Sequence, residues 1–391
     1  MLAGVQQDII DGAAVVSRVR DEVRVALDDF HAYWYLGKRF QYSPFIQYVQ
    51  APFQSATLNF NSMGFRGPEF VPGRTAGVRL AFFGASAVLG VPNATDGQTI
   101  PELCRAELAR HGRQVDVLNF AVMCSMIRNQ HDALLKALLE FDPDVLVVYT
   151  GYNDMLRAYH GNVWKGYEDV ETILQRGFEW NAHRSAPFYH LRNAWAAIER
   201  KVEFTARPRS SDAFERLLQK RREFTIRRSG VQSAYGEGRR LFDVLVAQVC
   251  ALAERHGKPL VFCHQPALSA TAKAKSAYEQ AYERHMDLTF GPDPESAEPQ
   301  RLAFGENYAV QRVQSHDLAA RLGAHVYDPE PAIAALGHET DIFYDYAHLT
   351  VAENHLVATG LSSLLIEKEL LPSTGSVATS GQTSSSTLGF C

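Results

Sequence analysis

Nothing in this chain of 391 residues approaches the roughly 18 uninterrupted apolar residues of a membrane-spanning helix, so no span is expected. Met1 to Phe30 interleaves acids and bases and lacks the apolar centre of a secretory signal. Cysteine is sparse: Cys104, Cys124, Cys250, Cys263 and Cys391 are scattered, odd in number, and form no C-x-x-C pair. Such a pattern suggests neither a zinc site nor a disulfide framework, and it fits a reducing compartment. The expectation is a cytoplasmic protein with no metal or organic cofactor. There is no G-x-G-x-x-G or Walker-type loop, which leaves nucleotide binding without support. Positive charge is not in excess either: the net charge is -5 and the pI about 6.3, which argues against a general nucleic-acid binder. No internal repeat is present.

What is present is an alternation of strand and helix patterns beginning at Val78. Strand-like runs cover 78–83, 115–122, 145–150, 259–264 and 325–328. Helical patterns cover 99–112, 129–141, 238–257, 302–323 and 350–370. Strands alternating with helices predict an α/β fold with a parallel sheet covered on both faces. Right-handed crossovers restrict it to a few doubly wound orders, in which ligands sit beyond the C-terminal ends of the strands. Residues 1–77 read as an N-terminal helix (about 5–30) and an aromatic-rich irregular arm broken by Pro44 and Pro52. The alternation stops over 155–236, a segment expected to be a helical insertion. Its stretch from Arg184 to Arg228 holds 12 Lys and Arg against 5 Asp and Glu. That stretch is either a solvated helical face or a lid that attracts anionic substrate parts. Residues 372–391 are Ser, Thr and Gly without core-forming residues and read as a disordered tail.

Chemistry-bearing residues collect at the predicted strand ends. Ser86 follows the first strand within Gly84-Ala85-Ser86, a placement suited to an exposed nucleophile. A serine hydroxyl needs a base to take its proton. His348 is the candidate base, and Asp345, three residues earlier, is placed to accept from its other ring nitrogen and fix the tautomer. The tetrahedral intermediate of acyl transfer also needs donors aimed at the developing oxyanion. The Asn153 side chain, in Gly151-Tyr152-Asn153-Asp154, offers one, and the backbone N–H groups of Ser86 and Ala121 offer two more. Tyr152, Arg128 and His264 are possible substrate contacts. Asp154 reads as a structural carboxylate. The Gly-x-Ser-x-Gly elbow of α/β-hydrolases is absent around Ser86.

The order of these blocks resembles the SGNH hydrolases, the GDSL esterase/lipase family. Gly84-Ala85-Ser86, Asn119-Phe120-Ala121, Gly151-Tyr152-Asn153-Asp154 and Asp345-Tyr346-Ala347-His348 follow the family's sequence of blocks, each after a successive strand. The resemblance runs from about Asn59 to Leu370 and takes in Gly64-Phe65-Arg66-Gly67. It implies a three-layer α/β/α domain over 78–371 with a five-stranded parallel, flavodoxin-like sheet. It implies a serine esterase with Ser86, Asp345 and His348 as triad and Ser86, Ala121 and Asn153 as oxyanion hole. Ala121 departs from the pattern, since the family carries a glycine in that block. A small-molecule ester or acyl substrate is expected, with Tyr152 and the aromatics of 40–48 suggesting an apolar or ring-bearing group. Acyl transfer to an alcohol or sugar, thioester or amide hydrolysis, and a catalytically silent binding module remain as alternatives.

Overall fold

Successive side chains of the central strands point to opposite faces of the sheet, and each face feeds a separate core. In the computed structural model, β5 (Val78–Gly84) is buried along its whole length. Leu80 and Phe82 face one apolar cluster, Ala81 and Phe83 the other. β7 (Val145–Thr150) and β8 (Leu260–His264) divide in the same way, with Val147 and Val261 on one side and Val148 and Phe262 on the other. Strands buried on both faces read as continuous apolar runs, as these do.

The structure describes residues 26, 29, 30, 33, 40–43, 45–73, 77–91, 94–159, 231–290 and 294–372. The helix expected over 5–30, the body of the insertion and the tail lie largely or wholly outside them.

Five parallel strands form the main sheet in the order β6-β5-β7-β8-β9, with β6 at Val115–Asn119 and β9 at His325–Tyr327. Counted along the chain this is the doubly wound order 2-1-3-4-5 of flavodoxin-like folds, whose switch point lies between its first and third strands. Those strands here are β5 and β7. Helices α2 (Ile100–Arg110) and α9 (Val351–Glu367) contribute Leu103, Leu108, Val357 and Leu361 to the first cluster. Helices α3 (Ile127–Glu140) and α5 (Val231–Arg255) contribute Leu134, Ala137, Phe242 and Val246 to the second. The result is three layers, helix, sheet and helix. Further helices among the described residues are α1 (Ser86–Leu89), α4 (Tyr152–Tyr159), α6 (Ala277–Phe290), α7 (Pro294–Arg321) and α8 (Glu330–Ala334).

The aromatic arm is more regular than expected. It contains two antiparallel pairs, β1 (Phe40–Ser43) with β2 (Gln47–Gln50), and β3 (Phe53–Gln54) with β4 (Asn59–Phe60). Short pairs of this kind carry little periodicity to read. Arg66 ties the arm to the core. Its buried guanidinium donates to the carbonyls of Leu89, Gly90, Thr57 and Ala94, and its Nε lies 2.7 Å from Asp96 Oδ1. The carbonyls of Leu89 and Gly90 close the helix that begins at Ser86. Arm side chains enter both cores, among them Leu58 and Phe60 on one face and Val49 and Phe65 on the other.

Among the described residues, no helix is long and apolar enough to cross a membrane, and no group of three His, Cys, Asp or Glu side chains is arranged to hold a metal ion.

Candidate active site

β5 ends at Gly84, where any side chain would collide: an added Cβ would lie 2.3 Å from Val88 Cγ2 and 3.0 Å from Tyr149 O. The chain therefore turns tightly into α1, whose first residue is Ser86. The first N–H groups of a helix have no intrahelical acceptor, so the Ser86 N–H is available at the sheet's upper edge.

The Asp345–His348 segment is a tight loop before α9. Its base is closed by Tyr344 N–H donating to His348 O at 2.7 Å and Thr350 N–H donating to Ile342 O at 2.9 Å. Inside it, Asp345 Oδ1 accepts from the N–H groups of Ala347 and His348, both at 2.9 Å. The two Asp345 oxygens lie 2.8 and 2.7 Å from His348 Nδ1. A carboxylate only accepts, so Nδ1 carries the proton and Nε2 is left as an acceptor. Nε2 lies 2.7 Å from Ser86 Oγ, across 262 positions of sequence. Serine, histidine and aspartate thus form one continuous hydrogen-bonded chain.

Asn153 stands in the first turn of α4, above β7. Its Nδ2 donates to Ser125 O at 2.9 Å, which uses one of the amide's two hydrogens. Beside it, Asp154 accepts from Ile127 N–H at 3.2 Å through either oxygen, at the start of α3. Asp154 keeps some surface exposure, yet the protein packed around its carboxyl raises its pKa to about 7, desolvation outweighing the Ile127 hydrogen bond and the nearby Arg157. Asn153 and Asp154 together hold the loop between β6 and α3.

That loop differs from expectation at Ala121. Its N–H donates to Asn119 Oδ1 at 3.1 Å, a side chain-to-backbone turn, and Asn119 Nδ2 reaches Val88 O at 3.3 Å. The Ala121 donor is therefore spent inside the loop. Its neighbours are spent too: Phe120 N–H goes to Phe82 O, Val122 to Gly84 O, Ser125 to Val122 O and Met126 to Asn129 Oδ1. With the Gln50 amide turned so that its nitrogen faces Gly64 O, Met123 N–H meets Gln50 at 2.8 Å. Among the described residues, the Cys124 N–H alone in this run has no acceptor. Cys124 is exposed, with φ of 58°, in the left-handed region that L-residues other than Gly, Asn and Asp rarely occupy. Nothing in the residue type signals that conformation.

The three expected substrate contacts do not reach the site as free side chains. Tyr152 is 2% exposed and packs its ring on Tyr346 (5.4 Å between centroids), Phe304 and Tyr308. Arg128 lies on α3 with its Nε 3.3 Å from Asp132 Oδ2. His264 is fully buried, and burial, with His316 and Arg312 nearby, lowers its pKa to about 3. It packs against Gly151: a Cβ there would lie 2.4 Å from His264 Nε2, and Gly151 has φ of 116°. The residue at this strand end that does reach the Asp345–His348 loop is the next one, Gln265, whose Nε2 donates to Ala347 O at 2.8 Å.

A groove of about 830 Å³ runs along edge strand β6, lined by Asn59, Arg66, Asp96, Val115 and Asn119 among others. None of Ser86, Asn153, Asp345 or His348 lines it.

No protein-family model matches the chain, and no curated protein matches it. Solved structures resembling it include an acetyl xylan esterase, 13% identical, covering 73% of this chain and 98% of that one at a TM-score of 0.38. TesA is 12% identical, covering 75% and 99% at 0.41. A lipase/acylhydrolase from Enterococcus faecalis is 11% identical, covering 75% and 97% at 0.38.

Proposed function

We propose that this protein is a serine hydrolase of the SGNH kind that cleaves a carboxylic ester through an acyl-enzyme on Ser86. The observation that carries the reading is the unbroken chain Ser86 Oγ–His348 Nε2 (2.7 Å) and His348 Nδ1–Asp345 (2.7 and 2.8 Å), set at the switch point of the sheet. In the first step Ser86 Oγ bonds to the acyl carbon while its proton passes to His348 Nε2. The imidazolium is stabilised by Asp345, which keeps its charge. His348 then gives that proton to the alcohol oxygen as the C–O bond breaks. Water repeats the sequence on the acyl-enzyme, losing its proton to His348 and releasing the acid and Ser86.

The oxyanion donors in this reading are the Ser86 N–H, the free hydrogen of the Asn153 amide, and the Cys124 N–H in place of that of Ala121. Each such donor is worth about 2.7–4 kcal/mol in the transition state. The left-handed backbone at Cys124 keeps its N–H out of the loop's internal hydrogen bonds. Strain of this sort, of order 1–3 kcal/mol, concentrates at functional sites.

The test is turnover of a panel of activated acyl esters and thioesters by the wild type and by Ser86→Ala, with and without an added acceptor alcohol. The expected result is a burst followed by turnover in the wild type, and a loss on the order of 10⁶-fold in kcat in the variant. Turnover that survives Ser86→Ala unchanged would contradict the reading. Acyl groups diverted to the alcohol faster than to water would make the alcohol the natural acceptor.

A further inference from the structure

The loop that carries Asp345 and His348 is gripped from outside the triad, by the first turn of α6. Ser276 and Glu279 form a capping box there. Glu279 N–H donates to Ser276 Oγ at 3.1 Å, and Ser276 N–H donates back to Glu279 Oε2 at 3.0 Å. A capping box needs one oxygen of the glutamate. The other, Oε1, crosses to the triad loop and accepts from Ile342 N–H at 3.0 Å and Phe343 N–H at 3.3 Å. The next loop residue is held by the neighbouring side chain on the same turn, since Tyr278 Oη donates to Tyr344 O at 2.5 Å. Three consecutive backbone positions, 342, 343 and 344, are thus fixed immediately before Asp345.

The charge on Glu279 is also matched. Lys273 Nζ lies 2.8 Å from Glu279 Oε2, and both side chains are completely buried. A buried ion pair is a weak source of net stability, because desolvation offsets its attraction, and its better-attested use is to fix one geometry. Here the geometry fixed is that of a loop on which the hydrogen bonds at 2.7 Å to Ser86 and Asp345 depend.

We infer that Glu279, charge-paired with Lys273, and Tyr278 are positioning residues that set the Asp345–His348 loop against Ser86. The inference rests on the serine-hydrolase reading above. Neither residue touches the reacting atoms; both act through the backbone of 342–344.

The experiment compares wild type, Glu279→Gln and Tyr278→Phe by the second-order rate of fluorophosphonate reaction at Ser86. The second readout is the downfield NMR resonance of the His348 Nδ1 proton, assigned by its loss in His348→Ala. Thermal unfolding checks that each variant is folded. Gln at 279 has one oxygen and one NH2 group, so either the loop N–H pair or the Ser276–Lys273 donors face a donor. Tyr278→Phe removes a single hydrogen bond and leaves the ion pair intact, so it tests the inference if Glu279→Gln does not fold. Misplacement of about 1 Å in such a site costs about 10²-fold in rate. The expected result is a fall of about that size for Glu279→Gln and a smaller one for Tyr278→Phe, each with a shifted or broadened His348 resonance. Folded variants that label at the wild-type rate would overturn the inference, and so would a slower rate with an unmoved resonance. A wild type that forms no Ser86 adduct would instead overturn the hydrolase reading, and this inference with it.

Discussion

At the scale of single residues, Cys124 and Asn153 make the sharpest contrast. One offers its backbone N–H to the proposed oxyanion and the other its side-chain amide. Asn153→Ala removes a donor and is expected to lower kcat by about 10²–10³-fold. Cys124→Gly keeps the N–H and suits φ of 58°, so kcat is expected to hold. The left-handed conformation costs a non-glycine residue roughly 1–2 kcal/mol, against up to about 1 kcal/mol of added unfolded-chain entropy from glycine. The melting temperature of Cys124→Gly is therefore expected to stay level or rise. A kcat loss in Cys124→Gly as large as in Asn153→Ala would assign the role to the thiol instead. As site candidates, Ser86 and Asn153 were legible in the sequence from their place just past strand ends, and Asp345 and His348 from their spacing and chemistry. Cys124 was not, since its contribution is a backbone angle. Tyr152 and His264, possible contacts in the sequence, stand beside the site along the chain, and only packing reveals that both side chains are buried.

At the scale of elements, the strands were legible and the pieces around them less so. β7 matches its expected bounds at Val145–Thr150, since five apolar or aromatic residues and a β-branched threonine follow a Pro-containing turn. β6 stops at Asn119 rather than 122, where the Asn119 side chain turns back onto Ala121 N–H, although Val122 N–H still reaches Gly84 O on β5. The Ser276–Glu279 capping box opens α6, but the apolar spacing in the residues after it is too weak to announce a helix from the sequence. The clamp of α4 on the loop after β6 carries a pH signature. Asp154 has its pKa raised from 3.8 to about 7, so the folded state binds its proton more tightly than the unfolded chain. Stability contributed by the protonated form is present at low pH and is lost as pH rises from about 4 through 7. Asp154→Asn lacks this loss. Its melting temperature relative to wild type is expected to climb across that window and level off above it. A difference that stays flat with pH would contradict the assignment.

At the scale of the whole molecule, the topology explains why residues spread from 86 to 348 converge. The order 2-1-3-4-5 puts β5 and β7 side by side at the switch point, so Ser86 and Asn153 leave adjacent strand ends. β8 beside β7 brings Gln265 to the back of the Asp345–His348 loop, and α9 receives the chain directly after it. Alternation of strands and helices made this architecture readable from the sequence, whereas the two small antiparallel pairs of the arm left no periodic trace. The central claim is that this convergence activates Ser86, and intact-mass and peptide mapping after fluorophosphonate treatment of wild type and Ser86→Ala tests it most directly. An activated serine forms an Oγ–P bond with loss of fluoride and of its proton to His348. One adduct on Ser86, absent from Ser86→Ala, is the expected result; folded wild type with no adduct at Ser86 would contradict the account.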